Sequence, residues 1–74
     1  MTTAAEDRQD LAQFAEHLGW ERKAYERVDV YIRRPVQIHT IWRGNVLNGS
    51  AHYDDSMLMA YSKDLAKVHS WLAK

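Results

Sequence analysis

The spacing of apolar residues predicts a helix near each end of the chain. Before Gly19, apolar residues recur at helical intervals and form one stripe: Leu11, Phe14, Ala15 and Leu18. Gly19 can adopt the left-handed conformation that ends a helix. Residues 3–6 (TAAE) have the form of a capping box, in which a threonine hydroxyl and a glutamate each satisfy a free backbone N–H.

The second predicted helix occupies the C-terminal end. Ser62 is a plausible N-cap, and Asp64 follows in the first turn. The apolar stripe of this helix consists of Leu65, Val68 and Leu72. His69 and Trp71 flank the stripe.

The middle of the chain alternates like a β-strand but contains a proline, in the stretch YIRRPVQIHTIWR at residues 31–43. We predict two strands joined by an odd-length loop at residues 34–36, because this register places Ile32 opposite Ile38 on one face. Pro35 then occupies a position that needs no ladder N–H. A single long strand bent at Pro35 is the alternative.

The odd loop divides these strands into two faces. The predicted inward face carries Val28, Val30, Ile32, Ile38, Thr40 and Trp42. The predicted outward face carries Tyr31, Arg33, Gln37, His39, Ile41, Arg43, Leu47 and His52.

A further hairpin is predicted at Asn48-Gly49, a favoured pair for a two-residue turn. This turn pairs Arg43 with Asp54, and it adds Val46, Ala51 and Tyr53 to the inward face. A bulge at residues 55–56 would then bring Met57 and Met59 to the same face. Residues 20–26 (WERKAYE) are predicted to be a connection.

The resulting fold class is α+β, with the order α-β-β-β-α. Two helices can cover only one face of the predicted three-stranded antiparallel meander, so the other face is left open. The length of 74 residues corresponds to a single domain over 1–74, with residues 1–3 predicted as a flexible tail.

Composition narrows the class of protein. The chain has no cysteine, which excludes disulfides and thiolate zinc sites. It has no visible signal peptide and no apolar run approaching the roughly 20 residues of a membrane span, so we expect a cytoplasmic protein. A net charge of zero argues against strong non-specific binding to nucleic acid, although cations concentrate in residues 20–43.

Candidate chemistry is sparse. A zinc site would need converging ligands at short spacings, whereas the four histidines are scattered. Asp54 and Asp55 are adjacent, so in a strand they point to opposite faces. No phosphate-binding or nucleophile motif is present. We therefore predict a non-enzymatic chain with no catalytic, cofactor-binding or metal-binding residue.

The open face is the predicted binding surface. An apolar centre ringed by arginine and histidine is typical of protein interfaces. We expect the chain to bind itself as a homodimer or to bind another protein through Tyr31, Arg33, His39, Ile41, Arg43 and Leu47. The alternative is nucleic-acid binding by the same face and by the central cations Arg22, Lys23, Arg27, Arg33, Arg34 and Arg43.

Five short segments together resemble small uncharacterised proteins of actinobacteria and their phages. They are LGW at 18–20, YERVDVY at 25–31, IW at 41–42, LNGSAHYDD at 47–55 and YSKDLAKVHSWL at 61–72. The resemblance implies a small intracellular accessory or regulatory protein, with a phage or prophage as one source. It transfers no catalytic residue.

Overall fold

Two helices flank five consecutive strands. The computed structural model describes residues 7–74. In chain order the elements are α1 (Asp7–His17), β1 (Glu21–Ala24), β2 (Val28–Arg33), β3 (Val36–Arg43), β4 (Val46–Asp54), β5 (Met57–Ser62) and α2 (Leu65–Ala73). The predicted capping box at 3–6 and the predicted tail at 1–3 lie outside the described residues.

The strands form one antiparallel sheet in the order β1-β2-β3-β4-β5. The protein is therefore a small α+β protein, but the predicted three-stranded meander is wrong because the sheet has five strands. β1 lies in the segment predicted to be a connection. β5 follows a turn at Asp55 and Ser56, where we predicted a bulge.

Both predicted helices are present. Gly19 ends α1 with φ of 89°, and its N–H donates to the carbonyl oxygen of Glu16 at 3.0 Å. The N-cap of α2 is Asp64, whose carboxylate accepts the N–H of Ala66 at 3.0 Å. Ser62 ends β5 instead, and its hydroxyl accepts the Asp64 N–H at 3.0 Å.

The turn between β2 and β3 contains two residues, so the predicted odd-length loop is wrong. Tyr31 lies opposite Ile38, and Arg33 lies opposite Val36. This register inverts the faces of β2, because Tyr31 joins the core while Val30 and Ile32 lie on the opposite face with His39 and Gln37.

Polar contacts explain why β2 is inverted relative to its apolar pattern. Asp29 is fully buried on the helix-covered face, where Arg8 from α1 and Arg22 from β1 form ion pairs with its carboxylate. Arg33 donates to the carbonyl oxygen of Leu18 at 3.1 Å and lies 4.5 Å from the centroid of the Trp20 ring. These partners come from distant segments, so an alternation pattern does not reveal them.

The turn between β3 and β4 is at Gly44-Asn45, not at Asn48-Gly49. Gly44 has φ of 62°, and Arg43 pairs with Val46 rather than with Asp54. The earlier turn lets β4 extend over nine residues.

The same change of turn reverses the predicted faces of β4. Ala51 and Tyr53 lie with His39 and Gln37, away from the helices. Leu47 packs against the core instead, and the His52 ring stacks on Trp71 of α2 with centroids 5.4 Å apart. The next turn places Asp55 and Ser56 at φ of 53° and 69°, typical of a tight two-residue hairpin.

One face of the sheet holds the core. Its buried cluster consists of Leu11, Ala15, Trp20, Tyr31, Ile38, Trp42, Val68, Trp71 and Leu72. Residues from α1 and α2 both belong to this cluster, so both helices lie on that face. The Trp20 indole N–H ties the two ends of the chain together by donating to the carbonyl oxygen of Leu72 at 2.9 Å.

Candidate functional site

The opposite side of the sheet, here called the outer face, is not covered by either helix. By the ladder registers its residues on β2 to β5 are Val28, Val30, Ile32, Gln37, His39, Ile41, Arg43, Val46, Gly49, Ala51, Tyr53, Leu58 and Tyr61. Arg43, at the end of β3, is the one Asp, Glu, Lys or Arg among them. The face is therefore predominantly apolar on these strands, and β1 adds Glu21 and Lys23 at one edge.

Three of the exposed large side chains on the outer face lie close together. Ile41 is 41% exposed, Leu58 is 59% exposed and Tyr61 is 60% exposed. They surround a hollow of about 310 Å³. Its apolar lining includes Val28 and Ala51, and its polar atoms come from His39, Tyr53 and Tyr61. An open apolar depression with a few polar groups is a common form of binding site.

Gly49 determines how Tyr61 lies on this face. A Cβ atom at Gly49 would stand 2.6 Å from the Tyr61 hydroxyl oxygen and 3.4 Å from Tyr61 Cζ. The φ of Gly49 is not positive, so its backbone conformation is open to other residues. The absence of a side chain at Gly49 therefore allows the Tyr61 ring to approach β4 closely.

His39 supplies the imidazole of the hollow. Its ring centroid lies 4.8 Å from that of Tyr53, and its Nε2 lies 3.2 Å from Gln37 Oε1. Burial lowers the pKa of His39 because the charged form loses hydration. The neutral imidazole is therefore favoured near neutral pH, so His39 adds no charge to the hollow.

The structure separates the six predicted partner-binding residues. His39 and Ile41 lie on the outer face, and Arg43 is exposed at the end of β3. Tyr31 is enclosed in the core, and Leu47 packs against it. Arg33 points to the helix-covered side. The predicted surface is thus corrected by removal of Tyr31, Arg33 and Leu47.

The central cations are also divided. Arg22 forms an ion pair with Asp29 at 3.2 Å, and Arg33 is held by Trp20 and Leu18. Lys23 is exposed on β1, and Arg34 is exposed in the turn after β2. The remaining two, Arg27 and Arg43, line a second hollow of about 430 Å³ at the end of the sheet.

The residues considered for metal or acid–base chemistry lie apart in the fold. Within residues 7–74, no group of three or more His, Cys, Asp or Glu side chains is placed to hold a metal ion. His39 and His52 lie on opposite faces of the sheet, and His69 packs edge-on against Phe14 at 4.7 Å. Asp29 is buried between two arginines, an arrangement that holds α1 to β1 and β2.

Several outer-face residues were missed from the sequence, among them Ala51, Tyr53, Leu58 and Tyr61. The signal for the last two was the segment MLMAYS after Asp55-Ser56, an apolar strand following two turn-forming residues. The signal at Gly49 was a glycine inside a strand pattern, which indicates a bulge or a close approach.

Comparison of the chain with protein families, with curated proteins and with solved structures finds no match. None of the helices in residues 7–74 is long and apolar enough to cross a membrane.

Proposed function

We propose that the chain is a small non-enzymatic interaction module that binds a polypeptide through its outer face. The observation that carries this proposal is the exposure of Ile41, Leu58 and Tyr61 around one hollow on a sheet face that neither α1 nor α2 covers. Large contiguous apolar patches are uncommon on the surface of small soluble domains, and they mark sites of contact with other molecules.

The composition of the face favours a polypeptide over nucleic acid. Phosphate binding needs several free cations, whereas the outer face of β2 to β5 has one, Arg43 at the end of β3. Two of the six candidate cations, Arg22 and Arg33, are engaged by partners within the chain. Tyrosine and aliphatic side chains at the centre of a surface, with charges only near its rim, are characteristic of protein interfaces.

Rigidity also supports this proposal. β3 and β4, which carry Ile41 and Ala51, are each paired on both sides. Their opposite face is anchored by buried side chains, including Ile38 and Trp42. A surface held in this way loses little conformational entropy when it is covered, and this favours binding.

Photocrosslinking in the cells that produce the protein tests the proposal. Ile41 is replaced by the photoreactive amino acid p-benzoylphenylalanine, and Tyr25 is replaced in the same way as the control. Tyr25 is 59% exposed but lies in the turn between β1 and β2. The proposal expects protease-sensitive polypeptide adducts at position 41 that are absent at position 25. Nuclease-sensitive adducts, or equal labelling at both positions, would contradict it.

A further inference from the structure

The second hollow, at the end of the sheet, has the features of an anion-binding site. It measures about 430 Å³ and is lined by Arg27, Ile41, Trp42, Arg43, Gly44 and Asn48; we call it the arginine hollow. We propose that the arginine hollow binds a phosphate group, either as inorganic phosphate or as the phosphate of a small monoester. This site is additional to the polypeptide contact on the outer face, and Ile41 is the one residue that lines both hollows.

The backbone brings the two arginines of the hollow to the same end of the sheet. The Trp42 N–H donates to the carbonyl oxygen of Arg27 at 2.7 Å, which joins the segment before β2 to the end of β3. Arg43 follows Trp42 and directly precedes the turn at Gly44-Asn45. The Trp42 side chain belongs to the buried core, so it anchors this end of β3. Arg27 and Arg43 therefore extend from backbone that is fixed by hydrogen bonding and packing.

The charge of the arginine hollow is uncompensated. Arg27 and Arg43 are both exposed, and within residues 7–74 neither forms an ion pair. No Asp or Glu of this part of the chain lines the hollow, and Glu26, which precedes Arg27, is not among the lining residues. Like charges that lie beside each other are destabilising. An anion bound between the two guanidinium groups would relieve this repulsion and gain charge-assisted hydrogen bonds.

The chemistry of the lining favours a phosphate group over a carboxylate. A guanidinium group presents planar N–H donors that can bind two phosphate oxygens at once. A phosphate monoester carries a charge of about −1.5 to −2 at pH 7, which balances two guanidinium groups, whereas a monocarboxylate balances one. The Asn48 side chain carries an amide that can donate a further N–H. Two cations suffice for one phosphate group, but nucleic-acid binding depends on contacts to many phosphates.

The arginine hollow also has room for the organic part of a monoester. Its volume of about 430 Å³ falls within the range of roughly 300–1,000 Å³ found for small-molecule sites. The lining is open at Gly44, where a Cβ atom would meet nothing within 4 Å. Ile41 is 41% exposed and supplies an apolar side chain on which an organic group can pack.

Amide NMR titrations of the full chain test the site. Inorganic phosphate, phenyl phosphate and acetate are added separately at constant ionic strength and about pH 7.5, where the phosphate groups are mostly dianionic. Inorganic phosphate is expected to shift the signals of Arg27, Asn48 and residues 41–44, with a dissociation constant of about 1 mM or lower. Acetate should bind at least about tenfold more weakly, because it matches one of the two cations.

Single substitutions identify the groups that hold the phosphate. Arg27→Gln and Arg43→Gln should each raise the dissociation constant of inorganic phosphate by about tenfold or more, because each removes a charged donor. Arg34→Gln is the matched control, since Arg34 is an exposed arginine in the turn between β2 and β3 and does not line the hollow. It should change the dissociation constant by less than about twofold, because salt screens distant charges. Unchanged α2 signals show that each variant is folded.

The outcomes decide the proposal and the source of the phosphate group. Tighter binding of phenyl phosphate than of inorganic phosphate supports a monoester as ligand, and equal binding supports inorganic phosphate. Absence of shifts at the arginine hollow, equal binding of acetate, or equal weakening by Arg34→Gln and Arg43→Gln would each overturn the site. These titrations are independent of photocrosslinking at position 41, so the interaction module can fail while the phosphate site stands, and the reverse.

Discussion

The Tyr61 hydroxyl oxygen would stand 2.6 Å from a Cβ atom at Gly49, so the tyrosine ring occupies the space that a side chain on β4 would need. This relationship links a position inside the sheet to the shape of the outer face. It also separates the stability of the fold from binding, because Gly49 has no positive φ and Tyr61 is exposed.

Gly49→Ala should weaken association without weakening the fold. The new methyl group displaces the flexible end of the Tyr61 side chain, while alanine in place of glycine within a strand favours folding by roughly 0.5–1 kcal/mol. We expect an unchanged or higher free energy of unfolding together with a lower yield of polypeptide adducts from p-benzoylphenylalanine at position 41. Urea unfolding and photocrosslinking measure the two quantities.

Gly44→Ala is the matched control and should show the opposite behaviour. A Cβ at Gly44 meets nothing within 4 Å, but its φ of 62° is unfavourable for alanine. The substitution should lower the free energy of unfolding by about 1–2 kcal/mol and leave association of the folded chain unchanged. Weaker association in Gly44→Ala than in Gly49→Ala would contradict the proposed role of Tyr61.

The free energy of unfolding should depend strongly on the ion pair between Arg8 and the buried carboxylate of Asp29. The Arg8 Nε and Nη2 atoms donate to the two carboxylate oxygens at 2.9 and 2.8 Å, and Asp29 is fully buried. Within residues 7–74, Arg8→Met would leave Arg22 as the one remaining ion-pair partner of Asp29. We expect a loss of about 3 kcal/mol in the free energy of unfolding, measured by urea denaturation.

A double-mutant cycle distinguishes this ion pair from general surface effects. The double variant Arg8→Met/Asp29→Asn should lose less free energy of unfolding than the sum of the losses in the two single variants. Asp29→Asn removes the buried negative charge that Arg8→Met leaves uncompensated. Arg27→Met is the control at an exposed arginine and should change stability by less than about 0.5 kcal/mol. Additive single effects would show that Arg8 and Asp29 are not coupled.

Tyr31 should behave as a core residue whose ring stabilises the fold and whose hydroxyl contributes little to the free energy of unfolding. Its side chain is fully buried, and its hydroxyl oxygen has no hydrogen-bond partner within residues 7–74. Tyr31→Phe should leave the free energy of unfolding unchanged or raise it by about 1 kcal/mol. Tyr31→Ala should lower it by about 3–5 kcal/mol. A mild effect of Tyr31→Ala on thermal unfolding would place Tyr31 outside the core.

The sequence predicted both helices well because their signals are local. The stripe containing Leu11 and Ala15, the terminator Gly19 and the polar residues before Leu65 all act within a few positions of one another. The inward placement of Ile38, Thr40 and Trp42 was also correct, and so was the outward placement of His39 and Ile41.

The register of the sheet could not be read from apolar alternation alone. Val28, Val30 and Ile32 suggested an inward face, yet the inward residues of β2 are Asp29, Tyr31 and Arg33. Long-range partners such as Arg8 make that burial possible. The segment GNVLNG at residues 44–49 contains two turn-forming pairs, Gly44-Asn45 and Asn48-Gly49. Because the prediction used the second pair, it displaced β4 and did not include β5. The outer face was therefore expected, but half of its candidate residues were misplaced.

Stability should fall at acid pH through His39. Burial lowers its pKa below the usual value of about 6.5, so the unfolded chain binds a proton before the folded chain does. The free energy of unfolding should decrease as pH falls from about 7 through the folded pKa, and this contribution becomes constant below it. The imidazole contacts Gln37 Oε1 and the Tyr53 ring, and neither contact is an ion pair.

His39→Gln is the variant that measures this contribution. It should show a shallower loss of stability than the wild type between about pH 7.5 and about pH 5 in urea titrations. An identical pH dependence in the two proteins would show that His39 does not titrate differently on folding.

The central claim is that the chain makes contact through the outer face and not through its helical side. Photocrosslinking tests it most directly when p-benzoylphenylalanine is placed either at Ile41 on the outer face or at Lys67, which is exposed on α2. We predict polypeptide adducts at position 41 and none at position 67. Adducts at position 67 with none at position 41 would contradict the claim.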